Sequence, residues 1–306
     1  MVLEPISERK AIVREGRIVY FGLLLTLTVT FVLIIPLMMR PLPEKEQSVE
    51  EFAVESMVEI EEVPIDNLPE EIDFQTIVDE WVNTVGGTKS IVIYDLERDE
   101  VAATYNAEQN YNTASLYKLF VVYEGYRRVN SGEWDKDASV GSTGYTVEKC
   151  LDLAIRESNS PCAETLWAWM GHGDLDDIIV NDYNITDSAI SSLLSNATDI
   201  TKMMKLYYEH PDITDAVLVA AMKDSMLNQP ITTYNWRQGL PSGFSEAVNV
   251  YNKVGWLYNG RSWDIYHDAA IVEFPEQDRH FIVVVMTNNI SFTKIRDLAT
   301  RLENAV

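Results

Sequence analysis

Positive charge is what this chain has least of. Its 24 lysines and arginines stand against 48 aspartates and glutamates, a formal charge of −24 over 306 residues. Such a surface repels phosphate backbones and anionic lipid headgroups, which excludes nucleic acid as a partner. Histidine is scarce too, with four in all, and cysteine scarcer, with Cys150 and Cys162 alone. Two cysteines without nearby histidines make no zinc site, and no other cluster implies a metal or cofactor. No internal repeat is present. One stretch lacks charge altogether: residues 18–39, IVYFGLLLTLTVTFVLIIPLMM. At about 1.5 Å rise per residue it is long enough for a hydrocarbon core of about 30 Å.

Arg9, Lys10, Arg14 and Arg17 precede that stretch, and beyond Arg40 the chain turns acidic. This asymmetry places residues 1–17 in the cytoplasm and everything after residue 40 outside. The segment ends PLMMRPLPEKE rather than in a small-residue cleavage site, so an uncleaved signal anchor in the cell membrane is expected rather than a cleaved signal peptide. Residues 40–72 are acidic, punctuated by proline and poor in aromatics, the composition of a self-repelling, disordered stalk. In that external compartment Cys150 and Cys162 are candidates for a disulfide, the alternative being two buried thiols.

Residues 73–306 read as one folded domain. DFQTIVDEWVNTV carries a helical apolar stripe, and KSIVIYDLERDEVAATYN reads as a hairpin. A helix from about Ser115 ends at Asn130-Ser131-Gly132. Residues 145–228 are almost wholly helical in pattern, in five segments. After Pro230 strands return in AVNVYNKVGWLY, WDIYHDAAIVEF and RHFIVVVMTNN, before a last helix, FTKIRDLATRLENAV. The expected fold is therefore α+β: an antiparallel sheet made from both ends of the domain, its face covered by the terminal helices, with an all-helical insertion between.

Three Ser-x-x-Lys matches occur, SERK at Ser7, SLYK at Ser115 and SFTK at Ser291. A chance match or so is expected in a chain this long, so spacing alone selects none of them. Ser7 lies in the short tail and Ser291 opens the last helix. Ser115 stands where the strands hand over to the helical block. One helical turn brings Lys118 to the same face, and a helix N-terminus offers free N–H groups to a developing oxyanion. Burial or a second cation would depress the Lys118 pKa towards that of a base. Lys253-Val254-Gly255 supplies such a cation on a strand, where glycine would let a substrate approach the backbone closely. Ser158-Asn159-Ser160 lies between two helical segments.

Ser-x-x-Lys, then Ser-Asp-Asn, then Lys-Thr-Gly is the signature of penicillin-binding proteins and class A β-lactamases. The chain resembles that superfamily over roughly residues 72–306, in motif order and in the layout around each motif. The resemblance implies a serine hydrolase working through an acyl-enzyme. Ser115 would be the nucleophile, Lys118 the base and Ser158 the proton carrier to the leaving nitrogen. Ser160, Lys253, Gly255 and Trp256 would hold the substrate, with the N–H groups of Ser115 and Trp256 as the oxyanion hole. A β-lactam or a peptidoglycan stem peptide is the implied partner, which links the protein to the cell wall and to antibiotic response in bacteria.

Three departures accompany the resemblance. Ser158-Asn159-Ser160 replaces Ser-Asp-Asn, with Glu157-Ser158-Asn159 as a less apt register. Val254 replaces the threonine of Lys-Thr-Gly, a lost donor for which His267 is a candidate substitute. The glutamate that activates the deacylating water in class A enzymes has no counterpart in NDYNITDSAISSLLSNATDI, where Asp182 and Asp187 read as caps. That gap would slow release of the acyl group and turn the reading towards a D-Ala-D-Ala peptidase, or towards a catalytically weak wall-binding module. Trp167, Trp169, Tyr207 and Tyr208 are expected in the core. Asn184-Ile185-Thr186 and Asn196-Ala197-Thr198 match glycosylation acceptors.

Overall fold

The computed structural model describes residues 71–306 except Thr233 and residues 259–263. The expected anchor at 18–39 and all but the end of the 40–72 stalk lie outside the described residues. Among those described, no helix is long and apolar enough to cross a membrane.

Five strands form an antiparallel sheet in the order β2-β1-β7-β6-β5. They are β1 (Thr88–Asp95), β2 (Glu100–Tyr105), β5 (Asn249–Leu257), β6 (Ile265–Phe274) and β7 (Arg279–Asn288). Alternation along them separates two cores. Ile91, Ile93, Val283 and Val285 join Phe74, Val78 and Trp81 of α1 (Phe74–Thr84) and Ile295, Leu298 and Leu302 of α8 (Phe292–Glu303). Val92, Ile282, Val284 and Met286 turn the other way, onto the helical insertion. With both faces covered, the central strand β7 is apolar without interruption from Phe281 to Met286 rather than alternating.

The insertion contains α2 (Tyr117–Asn130), α3 (Val147–Arg156), α4 (Ser160–Met170), α5 (His172–Asn181), α6 (Ala197–Glu209) and α7 (Ala216–Leu227). Most of α2 from Tyr117 to Tyr126 is buried, which makes it the axis of the block. The sequence pattern gave no sign of a small ribbon, β3 (Tyr111–Asn112) with β4 (Leu194–Ser195), which ties the approach to Ser115 to a loop some 80 residues on. Trp167 and Tyr207 are buried as expected, whereas Trp169 is exposed on α4, where its ring meets Trp134 edge-on at 5.8 Å. Asn196 is also buried, as the N-cap of α6, so side-chain capping takes up the second glycosylation match.

Cys150 on α3 and Cys162 on α4 form a disulfide that closes a loop of 12 residues around Ser158. Replacing both cysteines by alanine is expected to lower unfolding free energy by about 2–4 kcal/mol, from the loop-closure entropy returned to the unfolded chain. Urea unfolding of the two proteins measures it.

Candidate active site

Ser115 sits in a 3-10 turn, Ala114–Leu116, that runs directly into α2. The α-helix thus begins two residues later than its sequence pattern suggests. Asn112 starts the turn by accepting the Ala114 N–H through Oδ1 at 2.9 Å, and Ala114 takes a left-handed φ of 45°. A non-glycine residue in that region costs energy and persists where its surroundings hold it. The holding group is His267 on β6. Its Nδ1 accepts the Thr287 N–H at 2.9 Å, so Nε2 carries the proton and donates to the Asn112 carbonyl at 2.9 Å. Burial pushes its pKa down to about 4. With both nitrogens engaged inside the protein, His267 stays neutral and has no donor for a substrate, which overturns its candidacy as a substitute for the missing threonine.

Ser158 and Asn159 form the short link between α3 and α4. Asn159 caps α4 by accepting the Cys162 N–H at 3.0 Å, the task that explains an Asx residue at this position. Ser158 takes a left-handed φ of 55°, and its hydroxyl meets both lysines. Lys118 and Lys253 lie 3.2 and 3.0 Å from Ser158 Oγ. The register that starts at Ser158 is therefore the one that delivers a hydroxyl to this place.

Lys118 is wholly buried and has four oxygen neighbours: Ser115 Oγ at 3.3 Å, Ser158 O at 2.6 Å, Ser158 Oγ at 3.2 Å and Ser160 Oγ at 3.0 Å. An ammonium has three protons for these four acceptors. A neutral amine donates two, and its lone pair then faces a hydroxyl, since the Ser158 carbonyl can only accept. Burial lowers the Lys118 pKa to about 8, against a smaller opposing pull from the Glu164 carboxylate. Lys253 is also buried and donates to the Val254 carbonyl at 2.9 Å. Its pKa falls well below the usual lysine value, first through burial and then through repulsion by Lys118, against the attraction of Asp268. Two amines sharing one buried hydroxyl cannot both hold a charge cheaply, and Lys253 is the one that yields first.

Ser160 reaches the cluster through Lys118, its hydroxyl accepting from Nζ. Val254 packs into the core on the α1 and α8 side. Gly255 has a different reason from the one its sequence context suggests. A Cβ there would stand 2.6 Å from the Thr113 carbonyl oxygen, 3.0 Å from Leu116 Cγ and 3.1 Å from His267 Cδ2. What approaches this backbone is the protein's own Ser115 turn, which occupies the space assigned above to substrate.

Tyr234 and Trp236, which meet Trp256 near the end of the edge strand β5, were not singled out from sequence. Trp236 and Trp256 lie 6.0 Å apart, each within 5.4 Å of Tyr234, and Lys253 Nζ stands 5.9 Å from the Trp236 ring. The spacing of Tyr234 and Trp236 in TTYNWRQG was the available signal. Together the groups make a hydroxyl with a buried amine beside it, a second hydroxyl, a second amine and a cluster of aromatic rings. That arrangement can remove a proton from Ser115, carry it about 3 Å at a time and offer an anionic substrate an amine that takes up a proton as it binds.

A family model described as the beta-lactamase enzyme family matches residues 73–306. No curated protein matches the chain. Among solved structures, an ancestral class A beta-lactamase (GNCA) superposes with a TM-score of 0.66 at 14% identity, covering 76% of this chain and 100% of that one. A beta-lactamase from Xanthomonas campestris gives 0.65 at 10% identity over 77% and 99% of the two chains. PBP-A gives 0.65 at 14% identity over 78% and 98%. At these identities the likeness to solved structures is one of fold, while the family model spans the whole described domain. The chain belongs to the beta-lactamase enzyme family.

Proposed function

We propose that the domain is a serine hydrolase acylated on Ser115 by a β-lactam or a related amide. The observation that carries this reading is the position of Lys118 Nζ, in contact with both Ser115 Oγ and Ser158 Oγ, with Lys253 on the far side of Ser158. In the acylation step Lys118 takes the Ser115 proton as Oγ bonds to the carbonyl carbon. The oxyanion is received by the N–H groups of Ser115 and Trp256. The proton then passes from Lys118 through Ser158 Oγ to the leaving nitrogen, so that none is gained or lost. A substrate carboxylate arriving near Lys253 would draw a proton onto that amine. The new charge, by repulsion, would loosen the proton on Lys118, so binding and activation are coupled.

On this reading the acylation rate rises with pH, because the neutral amine is the active form. It is half-maximal near pH 8, where Lys118 titrates, and level above it. Stopped-flow acylation between pH 6 and 10 checks this; a rate independent of pH would contradict it.

The lack of a glutamate in residues 181–200 favours a second reading, a peptidase of D-Ala-D-Ala stem peptides that holds β-lactams as long-lived adducts. Turnover of a chromogenic cephalosporin against release of D-alanine from a stem pentapeptide decides between the two. Turnover of neither, with no adduct, would leave the wall-binding module. We further propose that residues 18–39 anchor the chain in the membrane as a single span with a cytoplasmic N-terminus, supported by their 22 uncharged positions and the preceding basic residues.

A further inference from the structure

Hydrolysis of an acyl-serine needs a base for water, and the loop between α5 and α6 offers no glutamate for it. Asp182 closes α5 and pairs with Arg127 at 3.6 Å. Asp199 is buried and accepts the Asp187 N–H and the Ser188 hydroxyl, each at 2.9 Å, and Asp176 accepts the Ile190 N–H at 2.7 Å. These groups hold the loop in place. The carboxylate charge felt by Lys118 comes from a different element. Glu164 lies on α4, four residues beyond Ser160, so the two share a helix face one turn apart, and Ser160 Oγ touches Lys118. Of the described carboxylates, Glu164 is the one whose charge acts on Lys118 and on Tyr117. Glu164 itself is exposed to solvent.

Beside it is an unmet polar group. The Tyr117 ring is 6% exposed and stacks against Trp167 with centroids 5.2 Å apart. Its hydroxyl is close enough to Ser160 to feel it, yet meets no partner in hydrogen-bond geometry. A buried hydroxyl without a partner is costly, and ordered water is the usual remedy. Ser160 Oγ thus touches Lys118, with Glu164 one turn further along the same helix face and the unmet Tyr117 hydroxyl beside that helix.

From this juxtaposition we infer that Glu164 is the base of a deacylation step, holding the hydrolytic water with the Tyr117 hydroxyl. The inference rests on the proposed acylation of Ser115. Glu164 takes a proton from water as the water oxygen bonds to the ester carbonyl carbon of acyl-Ser115. The carbon–Oγ bond breaks, the proton returns to Oγ by way of Lys118, and the product leaves as a carboxylic acid. The site is thereby a hydrolase that releases its acyl group, with the base supplied by α4 instead of the loop. An open approach follows as well, since water reaches Glu164 from bulk solvent.

The test is the lifetime of the acyl-enzyme in the full-length chain, wild type and Glu164→Gln, mixed with a chromogenic cephalosporin and followed by intact mass. Both should gain the adduct at rates within about threefold of each other. The Glu164→Gln adduct should then persist on the order of 10²- to 10⁴-fold longer. Glu164→Asp, which keeps the charge on a shorter arm, should fall between them. Adducts of equal lifetime in wild type and Glu164→Gln, whether short or indefinite, would overturn the inference while leaving acylation standing. No adduct on the wild type would overturn the acylation itself and the inference with it.

Discussion

Lys118→Met is expected to slow acylation on the order of 10²- to 10⁴-fold and to leave unfolding free energy within about 2 kcal/mol of the wild type. The kinetic loss follows because no other base touches Ser115 Oγ among the described residues; Lys118 Nζ is at 3.3 Å, and Lys253 meets Ser158 instead. The small change in stability follows from two opposed terms. Methionine fills nearly the same volume, so packing is conserved. Burying the ammonium depresses its pKa from 10.5 to about 8, a penalty of about 3 kcal/mol that holds below pH 8 and vanishes above the unfolded value. The variant escapes it. Against this, Ser158 O and Ser160 Oγ each lose the Lys118 contact, at about 1–3 kcal/mol for each group left without a partner. Ser158 Oγ keeps Lys253. Activity and stability thus part company here, and parallel measurement of adduct formation and urea unfolding on one preparation checks both halves. A variant that simply failed to fold would show the cluster to be a structural necessity instead.

Gly255→Ala is expected to cost about 10²-fold in acylation and about 1–3 kcal/mol in stability, although it adds a single methyl group remote from Ser115 in sequence. That methyl would arrive 2.6 Å from the Thr113 carbonyl and 3.0 Å from Leu116, on both sides of the nucleophile. The turn must retreat from β5, and with it Ser115 moves away from Lys118 and from the Trp256 N–H that the proposed mechanism assigns to the oxyanion. A displacement of about 1 Å at a reacting atom is enough for a loss of that size. Gly173→Ala, where an added Cβ meets nothing within 4 Å, is the matched control and should behave as wild type. Equal behaviour of the two variants would contradict the assigned reason for Gly255.

The parts of the site legible in the sequence are those fixed by local geometry. Ser115 and Lys118 are one helical turn apart, and Ser158 and Lys253 follow in motif order, so spacing and sequence context placed all four. The hairpin β1–β2, the five helices between residues 145 and 228, the last three strands and the final helix were legible for the same reason, since each is set by its own periodicity. What escaped is set by contacts across the chain. Gly255 meets Thr113, His267 holds Asn112, and Tyr111 pairs with Ser195, partners separated by about 80 to 155 residues. Nothing in the strand containing His267 says that both its nitrogens are used. Val254 reads as a lost hydrogen-bond donor in the motif and as a core residue in the fold.

The central claim is that Ser115, activated within this cluster of two lysines and Ser158, forms a covalent acyl bond. Intact-mass spectrometry of the full-length chain, wild type and Ser115→Ala, after addition of a cephalosporin tests it most directly. The account expects the wild type to gain the mass of one opened lactam, lodged on the peptide that contains Ser115, and the Ser115→Ala chain to gain none. An adduct of the same mass on Ser115→Ala, or no adduct on either chain, would contradict it.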